Sequence, residues 1–286
     1  MNLLNLLKIA AVGLMLLVAY QSVGSLIKRL SPLSLFADPA ALPSALDDPR
    51  VHFQPGGEDC ARDVAALMGE ATARVVEAQG RPFAKEPIVV VYTSYGDYGR
   101  SNGYDDASIV ATARSGRVLL SPALCNEDKP KLEKVLTHEL SHTHLFGWRG
   151  VIAERPPSWF AEGLAVMISD GGGADGVDEK EALEALKEGV AIQVADKGVW
   201  RDFNSIPFEK EPRLKGEGAD FFRYRQNLAF REAGLFVAFL KREQPEAFTK
   251  LLTKLQDGAA FGDAFKEAYG QSLGQEWLKF RDGARG

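Results

Sequence analysis

The chain has 286 residues, 45% hydrophobic and 26% charged, with 34 Lys and Arg against 39 Asp and Glu for a formal net charge of −5. This composition excludes a disordered or fibrous chain, and the length supplies enough core for the fold to stand without metal or disulfide staples. No run of five basic residues occurs, so the footprint that a phosphate backbone demands is missing and no nucleic-acid partner is expected.

In chain order, residues Ile9 to Ile27 carry no charge and are closed by Lys28 and Arg29. A membrane span needs roughly 20 apolar residues and a signal peptide core about 7 to 15, so residues 1–30 read as a transmembrane anchor or a signal segment. The best small-x-small cleavage pattern is Ser22-Val23-Gly24, which would release a secreted form beginning after residue 24. Residues 31–50 carry four prolines and read as a linker, leaving 51–286 as the folded body. The expected location is extracytoplasmic, on a bacterial inner membrane facing the periplasm, or secreted if the segment is cleaved. Cys60 and Cys125 agree with that compartment as a disulfide, with two buried free thiols as the alternative.

Within the body, Val64, Leu67, Met68, Ala71, Val75 and Val76 recur at three and four, which predicts a helix over 60–78. Ile88 to Tyr92 is a β-branched run and reads as a buried strand. Ser108 to Ala113 and Arg117 to Leu120, joined through Arg114-Ser115-Gly116, read as a hairpin. After Pro130 the period is helical over 130–146, 157–169, 179–188, 221–243, 245–256 and 272–282. An α/β first half followed by a helical second half argues an α+β architecture. Two glycine-rich stretches interrupt it: 93–108, read as a surface or substrate-binding loop, and 170–178, read as flexible and acidic.

Three of the four histidines fall in LTHELSHTHL, on a helix whose buried side is set by Leu132, Val135, Leu136 and Leu140. His138 and His142 are four apart, so they share one face and can grip one ion. Glu139 leans over the same place, too close to be a comfortable ligand and well placed to take a proton from an attacking water. A catalytic ion needs a third protein ligand, and Glu162 in the apolar segment SWFAEGLAVMIS is the candidate, because a carboxylate there is costly unless something positive meets it. Gly163 beside it leaves room for close helix approach. His144 falls about 160° from the ligand face, and His52 has no evident partner.

HELSH at 138–142 followed by WFAEG at 159–163 resembles the gluzincin metallopeptidases, the peptidase MA-like proteins related to thermolysin, over about residues 85 to 245. The resemblance implies a zincin-like fold and Zn2+ held by His138, His142 and Glu162, with Glu139 as general base. It also implies a peptide or protein substrate lying along the sheet edge, expected here at Arg117 to Pro122. An oxyanion-stabilising residue from a later helix is implied too, for which Tyr224 is the candidate; Phe230 stands where such proteins often carry tyrosine. Val166 replaces the aspartate that orients a zinc histidine in thermolysin-like enzymes, so that support has no assignable residue. The rival readings are hydrolysis of a non-peptide amide or ester, and a membrane-tethered binding module on a degenerate peptidase fold.

Overall fold

The computed structural model describes residues 41–150, 153–200, 206–213 and 219–285. The uncharged segment 9–27 lies outside the described residues, and no helix among those described is long and apolar enough to cross a membrane. Contacts with the body begin before Val51. Ser44 bridges His52, Ala45 is buried, and Asp48 makes a bidentate pair with Arg50, so the end of the proline-rich stretch packs on the domain.

The chain is mixed α+β. Four short strands, β1 (Val51–Phe53), β2 (Ile88–Val91), β3 (Ala111–Arg114) and β4 (Arg117–Leu120), form one sheet in the order β1-β2-β4-β3. β1 and β4 run parallel to β2, while β3 runs antiparallel to β4. Helix α1 (Glu58–Gln79) is the crossover between β1 and β2. The expected hairpin forms, closed by Ser115 and Gly116, whose positive φ values of 52° and 76° suit the right-handed twist of a two-residue connection. One expectation is corrected. β4 lies between β2 and β3, so the edge strand is Ala111–Arg114 and not Arg117 to Pro122. β4, with Val118, Leu119 and Leu120 in a row, is the more apolar of the two hairpin strands and takes the covered place beside β2.

Alternate strand residues face opposite layers, as the pleat requires. Val89, Val91, Val118 and Leu120 enter the main core, which holds α1 and α4 (Leu132–Gly147), whereas Val90 and Leu119 meet Tyr98 on the other face. Tyr98 belongs to α2 (Tyr95–Asn102), a helix inside the stretch expected to be loop, N-capped by Ser94, whose hydroxyl accepts from the Asp97 N–H. A short helix α3 (Pro122–Asn126) carries Cys125, which is disulfide-bonded to Cys60 of α1.

The second half is helical: α5 (Ser158–Ile168), α6 (Glu179–Lys187), α7 (Ala219–Glu243), α8 (Pro245–Gln256), α9 (Phe261–Tyr269) and α10 (Leu273–Arg285). The tightest joint is between α5 and α7, and it is made by two reciprocal glycines. A Cβ at Gly163 would stand 2.5 Å from the Ala233 carbonyl oxygen, and one at Gly234 would stand 2.6 Å from a Val166 methyl. Val166 is thus a packing residue that fills the notch left by Gly234. Trp159, Phe160, Phe236, Phe261, Trp277 and Phe280 interlock around this joint with ring centroids 4.9–5.7 Å apart. It fixes α5, and with it Glu162, against α4.

Candidate metal centre

Helix α4 carries two ligand candidates on one face, and α5 brings the third to meet them. His138 Nε2 lies 3.1 Å from His142 Nε2, and Glu162 Oε2 lies 3.3 Å from each of them. Tetrahedral coordination with bonds of about 2.0–2.1 Å separates neighbouring ligand atoms by about 3.3 Å. The three atoms therefore form a triangle of the size that one face of such a site requires, and the group could hold a metal ion.

Electrostatics fit the same purpose. Burial works against a charge on Glu162, but the charges and hydrogen bonds of His142 and His138 outweigh it and hold the carboxyl far below its usual range. Burial likewise opposes a proton on His142, yet Glu162 and the charge of Glu139 raise its pKa to about 9.

The histidines are held in place from behind. His138 Nδ1 lies 2.8 Å from the carbonyl oxygen of Gly172, which can only accept, so Nδ1 donates to it and Nε2 is turned toward His142 and Glu162. Its ring stacks on Phe230 of α7 at 6.3 Å and 9°, and Phe230 stacks in turn on Trp200. His142 stacks on Phe146 at 6.1 Å, and the Arg155 guanidinium covers that ring. The outer partner missing from the sequence pattern is thus a backbone carbonyl in the glycine-rich stretch 170–178. That stretch is packed rather than loose: Gly171, Gly172, Ala174 and Val177 are buried, and a Cβ on Gly173 would come within 3.0 Å of the His138 ring. The density of glycines there was its only sequence signal.

Glu139 is next to His138 but is not in the triangle. Desolvation is the leading influence on its carboxyl and, with the Glu162 charge, keeps it above the usual range against the histidines and a hydrogen bond from the Ala113 N–H. Ala113 belongs to the edge strand. The Ser121 N–H donates to the Val110 carbonyl, so in the alternation of an antiparallel ladder Thr112 and Arg114 face β4, while Ala111 and Ala113 turn their backbone groups to the open edge. Glu139 therefore sits between the triangle and that edge.

The remaining positions singled out in the sequence are Tyr224 and the two other histidines. Tyr224 is half-buried against the main core. It is six residues before Phe230, which sets it about 9 Å along α7 and about 120° around it. Phe230, not Tyr224, is the α7 ring stacked on a metal-site histidine. His144 is fully buried on the far side of α4, bonded to Gln79 Oε1 and the Arg81 carbonyl, where it ties α4 to the end of α1. His52 meets the Leu42 carbonyl at 3.3 Å.

The chain matches no protein-family model and no curated protein.

Proposed function

We propose that this protein is a zinc-dependent peptide hydrolase of the gluzincin type, acting outside the cytoplasm and tethered by, or released from, its N-terminal segment. The observation that carries the reading is the His138–His142–Glu162 triangle with Glu139 outside it and adjacent. Two imidazoles and one carboxylate are the ligand set of catalytic zinc sites that keep a fourth position open. Zinc held there would polarise the scissile carbonyl and make a water at the site a better acid.

The chain's own part is proton handling and positioning. As the water oxygen attacks the carbonyl carbon, a Glu139 oxygen takes its proton, and the same carboxyl then delivers that proton to the leaving nitrogen as the C–N bond breaks. A carboxyl held above its usual range by burial is suited to both steps. A peptide is favoured over a small amide because the outward backbone groups of Ala111 and the carbonyl of Ala113, whose N–H is taken by Glu139, offer an extended chain an edge to pair with. The Cys60–Cys125 bond supports an oxidising compartment.

The test is a pair of variants. Glu162→Ala should lose bound zinc by metal analysis. Glu139→Gln should keep its zinc and lose about 10²- to 10⁴-fold in cleavage of a fluorogenic peptide library. A Glu139→Gln protein as active as the wild type would end the hydrolytic reading. Equal binding of one partner by both proteins, with no cleavage by either, would favour the tethered binding module.

A further inference from the structure

His138 is oriented by a main-chain atom, the Gly172 carbonyl, and a main-chain atom is only as fixed as the segment that carries it. That segment is neither helix nor strand, and three of its residues, Asp170, Gly171 and Gly173, have φ values of 53°, 93° and 81°. No ladder holds such a backbone in place. Within it, the Ala174 N–H donates to the Gly171 carbonyl at 3.0 Å and the Val177 N–H to the Ala174 carbonyl at 3.1 Å, which makes two loose turns.

Side chains of α7 supply the rest. Arg231 donates from Nε to the Val177 carbonyl at 2.8 Å and from a terminal nitrogen to the Ala174 carbonyl at 3.2 Å. The same guanidinium covers Gly171, where a Cβ would stand 2.5 Å from it. One helical turn earlier, Asn227, with its amide nitrogen turned to the Gly173 carbonyl, donates to that oxygen and accepts from the Gly176 N–H, each at 3.2 Å. Phe230 lies between them and stacks on the His138 ring. Residues 227, 230 and 231 share one helix face, so a single stripe of α7 holds both the face of the imidazole and the loop that orients its Nδ1. Arg231 is half-buried, and its partners among the described residues are main-chain carbonyls rather than carboxylates. A rigid fork of charged donors suits two carbonyls three residues apart, and its bonds are stronger than neutral ones.

We infer that Arg231, with Asn227 beside it, is a positioning residue of the metal centre: it fixes the Gly172 carbonyl, and through it the His138 ring, for the ion. It touches neither ion nor substrate. The inference rests on the metal-site reading above and not on which bond is cleaved.

The test uses the full chain carrying Arg231→Gln, Arg231→Lys or Asn227→Asp. Arg242→Gln, an exposed position on the same helix, is the control for lost charge. Each protein is titrated with zinc against a chromophoric chelator and, separately, loaded with cobalt(II), whose visible absorption reports the geometry of its ligands. Zinc affinity should fall by about 10- to 100-fold in Arg231→Gln, the effect of disturbing an outer partner of a metal ligand. It should fall by less in Arg231→Lys, which keeps the charge but not the fork. The cobalt bands should shift in the Arg231 variants and stay unchanged in Arg242→Gln. Asn227→Asp, which loses the donor to Gly173, should weaken zinc as well, and it carries the test if Arg231→Gln does not fold. A clamp that is merely structural would lower the urea midpoint and leave zinc affinity and the cobalt bands of the wild type, and that result overturns the inference. A wild type that binds no zinc overturns the metal-site reading and the role of Arg231 together.

Discussion

Gly172 supports His138 with a main-chain oxygen, so a substitution there acts through geometry. A Cβ would stand 2.5 Å from the Lys134 carbonyl oxygen and 2.8 Å from Ser169 Oγ, and the loop must move to admit it. The acceptor for His138 Nδ1 moves with it. Loss of such an outer partner costs about 10- to 100-fold in metal affinity. Zinc titration of Gly172→Ala is expected to show a drop of that order with an unchanged circular dichroism spectrum, and an unaltered affinity would remove Gly172 from the site. The contrast with His138 and His142 explains what could be read at this scale. Their side chains are chemically distinctive and one helical turn apart, so spacing alone brings them together, and Glu162 is conspicuous as a carboxylate in an apolar helix. A carbonyl is common to every residue and has no signature.

At the scale of elements, α5 and α7 touch because each gives up a side chain to the other. Gly163→Ala would push a methyl to 2.5 Å from the Ala233 carbonyl oxygen, a backbone atom with no rotamer to change. The helices must separate, at a cost of about 1–3 kcal/mol. Urea unfolding should report a loss of that size, and zinc affinity should fall as well, because α5 carries Glu162; a variant as stable as the wild type would mean that the joint is looser than these distances. The close approach at Gly163 was readable from its setting in an apolar helix. Helix α2 was not, since Gly96 and Gly99 each weigh against a helix by about 1 kcal/mol, and only the Ser94 cap and the burial of Tyr98 reverse that. The order of β3 and β4 was hidden for another reason. Periodicity says that two strands pair, while their place in the sheet is set by a crossover made far along the chain.

For the whole molecule, two features tie distant parts of the chain and should govern its stability. The Cys60–Cys125 bond closes a separation of 65 residues between α1 and α3, and the chain-entropy model gives its reduction a cost of about 4 kcal/mol. Glu232 does the equivalent work without a covalent bond. It is fully buried on α7, where Oε2 accepts from the Ile192 N–H at 2.8 Å. The segment that begins at Ile192 runs on to Glu209, which grips Arg281 of α10 through both carboxylate oxygens. Glu232 Oε1 and Arg281 Nε are buried with no hydrogen-bond partner among the described residues. Desolvation raises the Glu232 pKa well above 4.5, against the Ile192 hydrogen bond and the charge of Arg281. A carboxyl whose pKa is higher in the folded state binds more protons there than in the unfolded chain, so its contribution is complete below about pH 4.5 and is lost as pH rises toward the native value. The loss is about 1.4 kcal/mol for each pH unit in that window. Glu232→Gln keeps an oxygen for the Ile192 N–H and removes the titration. Its stability relative to the wild type should therefore improve in urea unfolding as pH rises above about 4.5, and stability curves that run parallel above that pH would show that Glu232 is already charged in the folded protein.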